Sequence, residues 1–228
     1  MLATYEVERP EVSYNKAEYI VTASGNKVSR RSVLCGSQNI VINGKTIIKA
    51  GCMIRGDLAN IRLGKYCALE EGVVIRPPFK KFIKGCAFFP IQLGDCCLVG
   101  EGTVLHAATV GNFIRFGKNC YIGRRCVVKD CVIVDEGAVV TDDTVMPPFT
   151  RWAGSPARIV EDLPESMSYV LGVDSQEYYD KFVPVGPDVG PGWGSAVRRI
   201  SAVRRISSIS SAAPASKQPE QKSVKEDD

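Results

Sequence analysis

Apolar residues recur at every sixth position over much of this chain. One series is Ile42, Ile48 and Ile54; a second is Leu63, Leu69 and Ile75; a third is Leu93, Val99 and Leu105. The longest runs Val110, Phe116, Ile122, Val128, Val134, Val140 and Met146, and all sixteen positions are apolar. Two further offsets carry signal. Glycine follows the apolar slot at 64, 94, 100, 111, 117 and 123, and the fourth residue after the slot is usually small or β-branched, as at Thr46, Cys52, Val73, Thr103 and Ala138. A period of six is neither that of a helix nor that of a simple strand. It predicts a coil of short strands, each about one wall of a prism, with a turn at every corner. The apolar residue points inward, the small residue sits inside near a corner, and glycine supplies the backbone freedom a corner needs. Three hexapeptides make one triangular turn, so sixteen rungs predict about five turns, each burying its inner face only by stacking on the next.

The period breaks between Ile75 and Leu93. Keeping it through the insert would place Lys81 inside, at a high desolvation cost. Residues 76–90 therefore read as a loop leaving the prism. It carries Phe79, Phe82, Phe88 and Phe89 beside Lys80, Lys81 and Lys84. Either the rings fold back on a wall, or the loop is a basic, aromatic surface for a partner; the nucleic-acid signal is weak. After the coil, Pro164 suits a first helical turn and Gly172 a helix stop. Asp174-Ser-Gln-Glu177 resembles a capping box ahead of Tyr178, Tyr179 and Phe182. The expected organisation is an N-terminal cap segment over 1–33, the coil over 34–152, a closing segment with a helix over 153–185, and a disordered tail over 186–228. That tail has one aromatic residue, Trp193, and no apolar periodicity. It holds a tandem repeat, Ser-Ala-Val-Arg-Arg-Ile at 195–200 and 201–206. Arg198-Arg-Ile-Ser201 and Arg204-Arg-Ile-Ser207 fit the basic-basic-x-Ser preference of basophilic kinases, which makes Ser201 and Ser207 candidate phosphorylation sites; the bland reading is a solvated basic linker.

Composition narrows the function classes. The 228 residues are 45% apolar and 24% charged, with a net charge of +4. That charge is too mild to argue for nucleic acid. No apolar run approaches the roughly 18 residues that span a bilayer. The opening Met1–Pro10 stretch predicts no secretory signal. Nine cysteines, with no C-x-x-C pair, read as reduced cytosolic thiols. Cys52, Cys67, Cys97, Cys120 and Cys126 fall in the small inward slot, where a small apolar group fits. There is one histidine, His106, which excludes most metal and triad chemistry.

The periodicity defines an all-β fold, the hexapeptide-repeat parallel β-helix. The stretch Ile54-Arg-Gly-Asp-Leu-Ala-Asn-Ile-Arg-Leu-Gly64 resembles the γ-class carbonic anhydrase and hexapeptide-transferase superfamily, which implies a left-handed coil. The three zinc-ligand positions of the γ-class pattern fall on Arg76, Glu101 and His106. Catalytic zinc needs three protein ligands and an open position, so zinc chemistry is not expected. Arg55 and Asp57 match the charged pair found at subunit contacts in that superfamily, and here make either a local salt bridge or a bridge to a neighbouring chain. Some hexapeptide acyltransferases use one histidine as general base at a trimer interface, so a homotrimeric acyltransferase with His106 as base is the alternative. Gly154-Ser-Pro156-Ala157-Arg158 is similar to their closing motif, which also closes non-catalytic members.

A closer resemblance spans most of residues 13–184. Its strings include Tyr14-Asn-Lys-x-Glu-Tyr19, Thr22-Ala-Ser-Gly-Asn-Lys-Val-Ser-Arg30, Arg76-Pro-Pro-Phe-Lys-Lys-Phe82, Ala87-Phe-Phe-Pro90, Ile122-Gly-Arg-Arg-Cys126 and Pro147-Pro-Phe-Thr150. Together they resemble the dynactin subunit 5 family. The resemblance implies a non-enzymatic scaffold without cofactors at the pointed end of dynactin's actin-related filament. Its implied partners are dynactin subunit 6, dynactin subunit 4 and the actin-related pointed-end protein, with dynein and cargo adaptors engaged indirectly. Neither nucleic acid nor direct membrane insertion is implied. The implied location is the cytoplasm and cytoskeleton, associated with microtubules and the centrosome, with the kinetochore as a further site.

Overall fold

The computed structural model describes residues 10–83 and 85–185. The chain divides into Met1–Val185 and Gly186–Asp228. The expected disordered tail, with Ser201 and Ser207, lies outside the described residues, as does Lys84.

The period of six builds a left-handed parallel β-helix with one C-terminal helix. Wall 1 stacks Lys27–Ser29, Ile47–Ile48, Ala68–Leu69, Leu98–Val99, Arg115–Phe116, Val132–Val134 and Thr150–Gly154. Wall 2 stacks Val33–Cys35, Met53–Arg55, Val74–Ile75, Val104–Leu105, Tyr121–Ile122 and Val139–Val140. Wall 3 stacks Ile40–Gly44, Ile61–Lys65, Ile91–Leu93, Thr109–Val110, Val127–Val128 and Val145–Met146. The parallel register sets like on like: Ile48 beside Leu69, Leu69 beside Val99, Val99 beside Phe116. Every member of the periodic series from Ile48 onward is buried, and the five slot cysteines are buried with them.

Walls 2 and 3 each hold six strands, one turn more than the five expected. The added coil begins inside the segment expected to be a cap. Its inward residues are Val28, Leu34, Ile40 and Ile42, all packed against the core. The strand Ile40–Gly44 is long enough to send both Ile40 and Ile42 inward. The step from Leu34 to Ile42 is then eight residues, which hides the period there.

All departures from the period fall at one corner, the passage from wall 2 to wall 3. The inward residues on its two sides are Leu34 and Ile42, Ile54 and Leu63, Ile75 and Leu93, or Leu105 and Val110. The other two corners keep a step of six. The turn itself lies three residues after the inward residue, where φ is positive. Between walls 1 and 2 this position holds Gly51, Gly72, Gly102, Asn119 and Gly137. Between walls 3 and 1 it holds Lys45, Tyr66, Cys96, Phe113, Cys131 and Phe149.

The glycines directly after the inward slot therefore do not serve backbone freedom, and that expectation is corrected. None of Gly64, Gly94, Gly100, Gly111, Gly117 or Gly123 has positive φ. They are there for close approach between coils: a Cβ on Gly64 would sit 2.3 Å from the carbonyl oxygen of Gly94.

The helix, α1, spans Met167–Lys181 and runs along the corner between walls 3 and 1. The residues read as a capping box, Asp174–Glu177, lie inside it, and its N-cap is Ser166. Gly172 does not stop the helix. It is buried mid-helix against Phe113, whose Cε1 lies 3.1 Å from where a Cβ would stand. Tertiary contact outweighs the local stop signal. Ser175 Oγ donates to the Cys96 carbonyl (3.3 Å), and Tyr178 Oη bonds the Glu70 carboxylate. At the C-terminal end, Lys27 Nζ donates to the carbonyls of Tyr179 (3.1 Å) and Phe182 (2.6 Å), where the helix dipole favours a cation. Burial pushes the Lys27 amine below the usual lysine range. Phe182–Val185 then pairs in parallel with Val12–Asn15, and Tyr14 stacks on Phe182 at 4.5 Å.

Candidate docking surfaces

The ends of the prism are closed along one wall only. At the N-terminal end, Tyr19–Val21 adds antiparallel to Lys27–Ser29 on wall 1. At the other end, Ala157–Asp162 adds antiparallel to Thr150–Gly154 on the same wall. Walls 2 and 3 end on Val33–Cys35 and Ile40–Gly44 below, and on Val139–Val140 and Val145–Met146 above. Those edge strands carry exposed Val33, Val41 and Val145, with Ile159 and Val160 exposed beside the upper end. Open strand edges present unpaired backbone groups to another chain.

The insert at the wall 2 to wall 3 corner is an antiparallel β-hairpin, Phe79–Phe82 with Gly85–Phe88. Its base is fastened to the prism. The Arg124 guanidinium lies 4.5 Å from the Phe79 ring, and Arg125, ion-paired with Asp143, donates to the Phe79 carbonyl (3.2 Å). Phe79 and Phe88 meet at 5.9 Å between ring centroids. Phe89 is half-buried and its amide donates to the Pro78 carbonyl (2.8 Å). Lys80, Lys81, Phe82 and Phe88 are exposed, with Lys80 over the Phe82 ring at 5.7 Å, and Ile83 at the tip is fully exposed. One ring is thus held on the prism while the tip projects. Sequence reading singled out these residues but missed the strands, because Phe79-Lys-Lys-Phe82 and Gly85-Cys-Ala-Phe88 are short arms without apolar–polar alternation.

Arg55 and Asp57 pair within the chain, Nε to Oδ1 and Nη2 to Oδ2 both at 2.8 Å. The guanidinium holds the Asp57 carboxyl below the usual carboxylate range. The pair sits at the corner that also carries the hairpin. It is solvent-facing, so its contribution to stability is small.

The positions onto which the zinc-ligand pattern falls hold unlike groups, with Arg76 and His106 after wall 2 strands and Glu101 after a wall 1 strand. Arg76 and Glu101 are exposed and His106 is half-buried. The His106 ring lies 5.7 Å from that of Tyr121, and among the described residues no side-chain hydrogen bond orients it. Burial first, then the charges of Arg76 and Arg124, hold the imidazole below its usual range. A cationic neighbour opposes metal binding, and the described residues contain no cluster of three or more metal-ligating side chains. The cleft of about 270 Å³ between α1 and wall 1 is lined by Glu70, Arg115, Lys118, Glu136 and Tyr178, away from His106. No helix among the described residues is long and apolar enough to cross a membrane.

Coil, register and corners together define a hexapeptide-repeat parallel β-helix. The chain is 27% identical over 128 residues to γ carbonic anhydrase 2, mitochondrial, of Arabidopsis thaliana, covering 56% of this chain and 45% of that protein. Among solved structures, a hexapeptide transferase family protein from Anaplasma phagocytophilum superimposes with a TM-score of 0.54 at 20% identity, covering 68% of this chain and 89% of that one. That likeness concerns the fold. The family model described as dynactin subunit 5 matches residues 7–187. Dynactin subunit 5 of Dictyostelium discoideum is 44% identical over 174 residues, covering 76% of this chain and 88% of that protein. The chain belongs to the dynactin subunit 5 family.

Proposed function

We propose that this chain is a non-enzymatic structural subunit of the dynactin pointed-end complex, supporting dynein-driven transport and cargo attachment in the cytoplasm. The observation that carries the reading is a rigid prism closed along one wall and open along two, in a chain of this family. A stack of coils keeps its walls flat and its edges fixed, which suits docking. Dynactin subunits 6 and 4 and the actin-related pointed-end protein are the proposed neighbours. Edge strands at the open ends take the end-on contact, and the hairpin with Phe79, Phe82 and Phe88 takes a lateral one. Single charges on the open edges test this. In a tagged full-length chain, Val41→Asp or Val145→Asp is expected to reduce recovery of the other dynactin subunits at least tenfold while leaving the melting temperature within a few degrees. Unchanged recovery from both variants contradicts end-on docking.

We also propose that Ser201 and Ser207 are phosphorylated by a basophilic kinase, adding negative charge to a basic segment and changing its partner. Intact-mass analysis of the chain after kinase treatment is expected to gain two phosphates, both lost in the doubly Ala-substituted chain. No gain contradicts the assignment.

A further inference from the structure

Each wall presents an outward column made of the residues that precede the inward ones. On wall 1, Ile47 and Ala68 of this column are buried, and with Leu98 they pack against Tyr178, Tyr179, Phe182 and Tyr14. On wall 3 the middle of the column is polar: Arg62, Gln92 and Thr109. On wall 2 the column is Val33, Met53, Val74, Val104, Tyr121 and Val139, apolar on all six coils. Val33 is 47% exposed and Met53 39%, and the other four are half-buried. The one α-helix of the described residues lies on the other side of the prism. A continuous apolar stripe on solvent-facing positions marks an interaction surface.

We infer that wall 2 is the docking face for an amphipathic α-helix of another protein, with acidic residues along one side of its apolar stripe and basic residues along the other. This rests on the reading of the chain as a structural subunit and names the chemistry of one of its partners. Length supports a helix. Six strands spaced about 4.8 Å apart make a column roughly 24 Å long, which a helix of about 16 residues spans. The chain's own 15-residue α1 runs the same stack of coils along the wall 3 to wall 1 corner. Charge sets the flanks. Along the wall 2 to wall 3 corner stand Arg76 and Arg124, with half-buried His106 between them; the Arg55–Asp57 and Arg125–Asp143 pairs cancel internally and Asp142 offsets one cation, which leaves the rail net basic. Arg76 is exposed, and no carboxylate among the described residues pairs with it. Along the opposite corner stand exposed Glu71, Glu101 and Glu136, with Lys118 offsetting Glu101 at 3.7 Å and Arg31 on the first coil, which leaves that rail net acidic. A helix laid on wall 2 therefore meets a basic rail on one side and an acidic rail on the other. Complementary flanks fix its direction as well as its face.

The test places a photo-reactive amino acid at Tyr121, on wall 2, and at Thr109, on wall 3, in the full-length chain within its native assembly. Cross-linked peptides are identified by mass spectrometry. The inference expects the probe at 121 to capture a segment of another protein with apolar residues at helical spacing and the stated charged flanks, and the probe at 109 to capture none of it. Val104→Glu, or Val139→Glu should the first variant fold poorly, is expected to reduce that product at least tenfold. Arg76→Glu is expected to reduce it several-fold without lowering the melting temperature. Capture of a second copy of this chain, of the strands of another prism, or of nothing above the wall 3 control overturns the inference. Recovery of the other dynactin subunits from the same sample scores the structural-subunit reading separately.

Discussion

At the scale of the residue, two kinds of glycine hold the coil for different reasons. Gly137 has φ +66° and open space where a Cβ would stand, so alanine there meets only backbone strain. Gly64 has ordinary φ but its Cβ would stand 2.3 Å from the next coil's carbonyl oxygen. Gly137→Ala is expected to cost about 1 kcal/mol, and Gly64→Ala about 3 kcal/mol through overpacking between backbones. Urea unfolding of the two variants decides the order, and equal losses would contradict it. The inward slots and buried cysteines were legible in the sequence because burial enforces residue type at a fixed period. The left-handed corner position was not, because nine non-glycine residues also hold it, among them Lys45, Tyr66, Phe113 and Arg125. Local strain there is offset by contacts that only the fold brings together. Phe113 rests on α1, Tyr66 meets Tyr179 edge-on at 6.0 Å, and Arg125 pairs with Asp143.

At the scale of the element, α1 is positioned by its C-terminal end. Its buried residues are Leu171, Gly172 and Ser175, a small apolar face for fifteen residues, and Tyr169 and Val170 on the outside are exposed. Packing of that face alone is a weak anchor. Lys27, donating to two carbonyls at the helix terminus with its ammonium 4.0 Å from the Tyr179 ring, supplies the rest. Lys27→Met is expected to lower stability by about 2 kcal/mol, the scale of hydrogen bonds to a charged group. It is also expected to speed amide exchange over residues 178–182 more than over the coil. Uniform exchange across the chain would contradict this division. A helix near its observed place was readable from Pro164 and the aromatic cluster. Its start and stop were misread, because Gly172 and Asp174-Ser-Gln-Glu177 carry terminal signals that contact with Phe113 and Cys96 overrides. The hairpin's existence was legible from the break in period, and its strands were not.

At the scale of the whole molecule, the period of six specifies the stack and the breaks in that period specify one corner. In the sequence the series simply stop at Ile54, Ile75 and Leu105, and the step after Leu34 is hidden. Threading the chain around three walls brings these breaks into a single column, with the hairpin, the Arg55–Asp57 pair and His106 beside one another. The ordered strings shared with the dynactin subunit 5 family were legible in the sequence. The apolar column on wall 2 was not, because its members precede the inward slot and look like ordinary strand residues until the other two walls are seen to be covered or polar. A prism built this way acts through its surfaces, and the alternative is a transferase assembled from three copies.

The native size of the tagged full-length chain in fresh lysate, measured by gradient sedimentation with its co-sedimenting proteins identified, separates those two directly. A structural subunit is expected in a particle far larger than three copies, together with actin-related proteins. A sharp species near the mass of a homotrimer of 24.8 kDa chains, about 74 kDa, with no other protein present, would contradict the account.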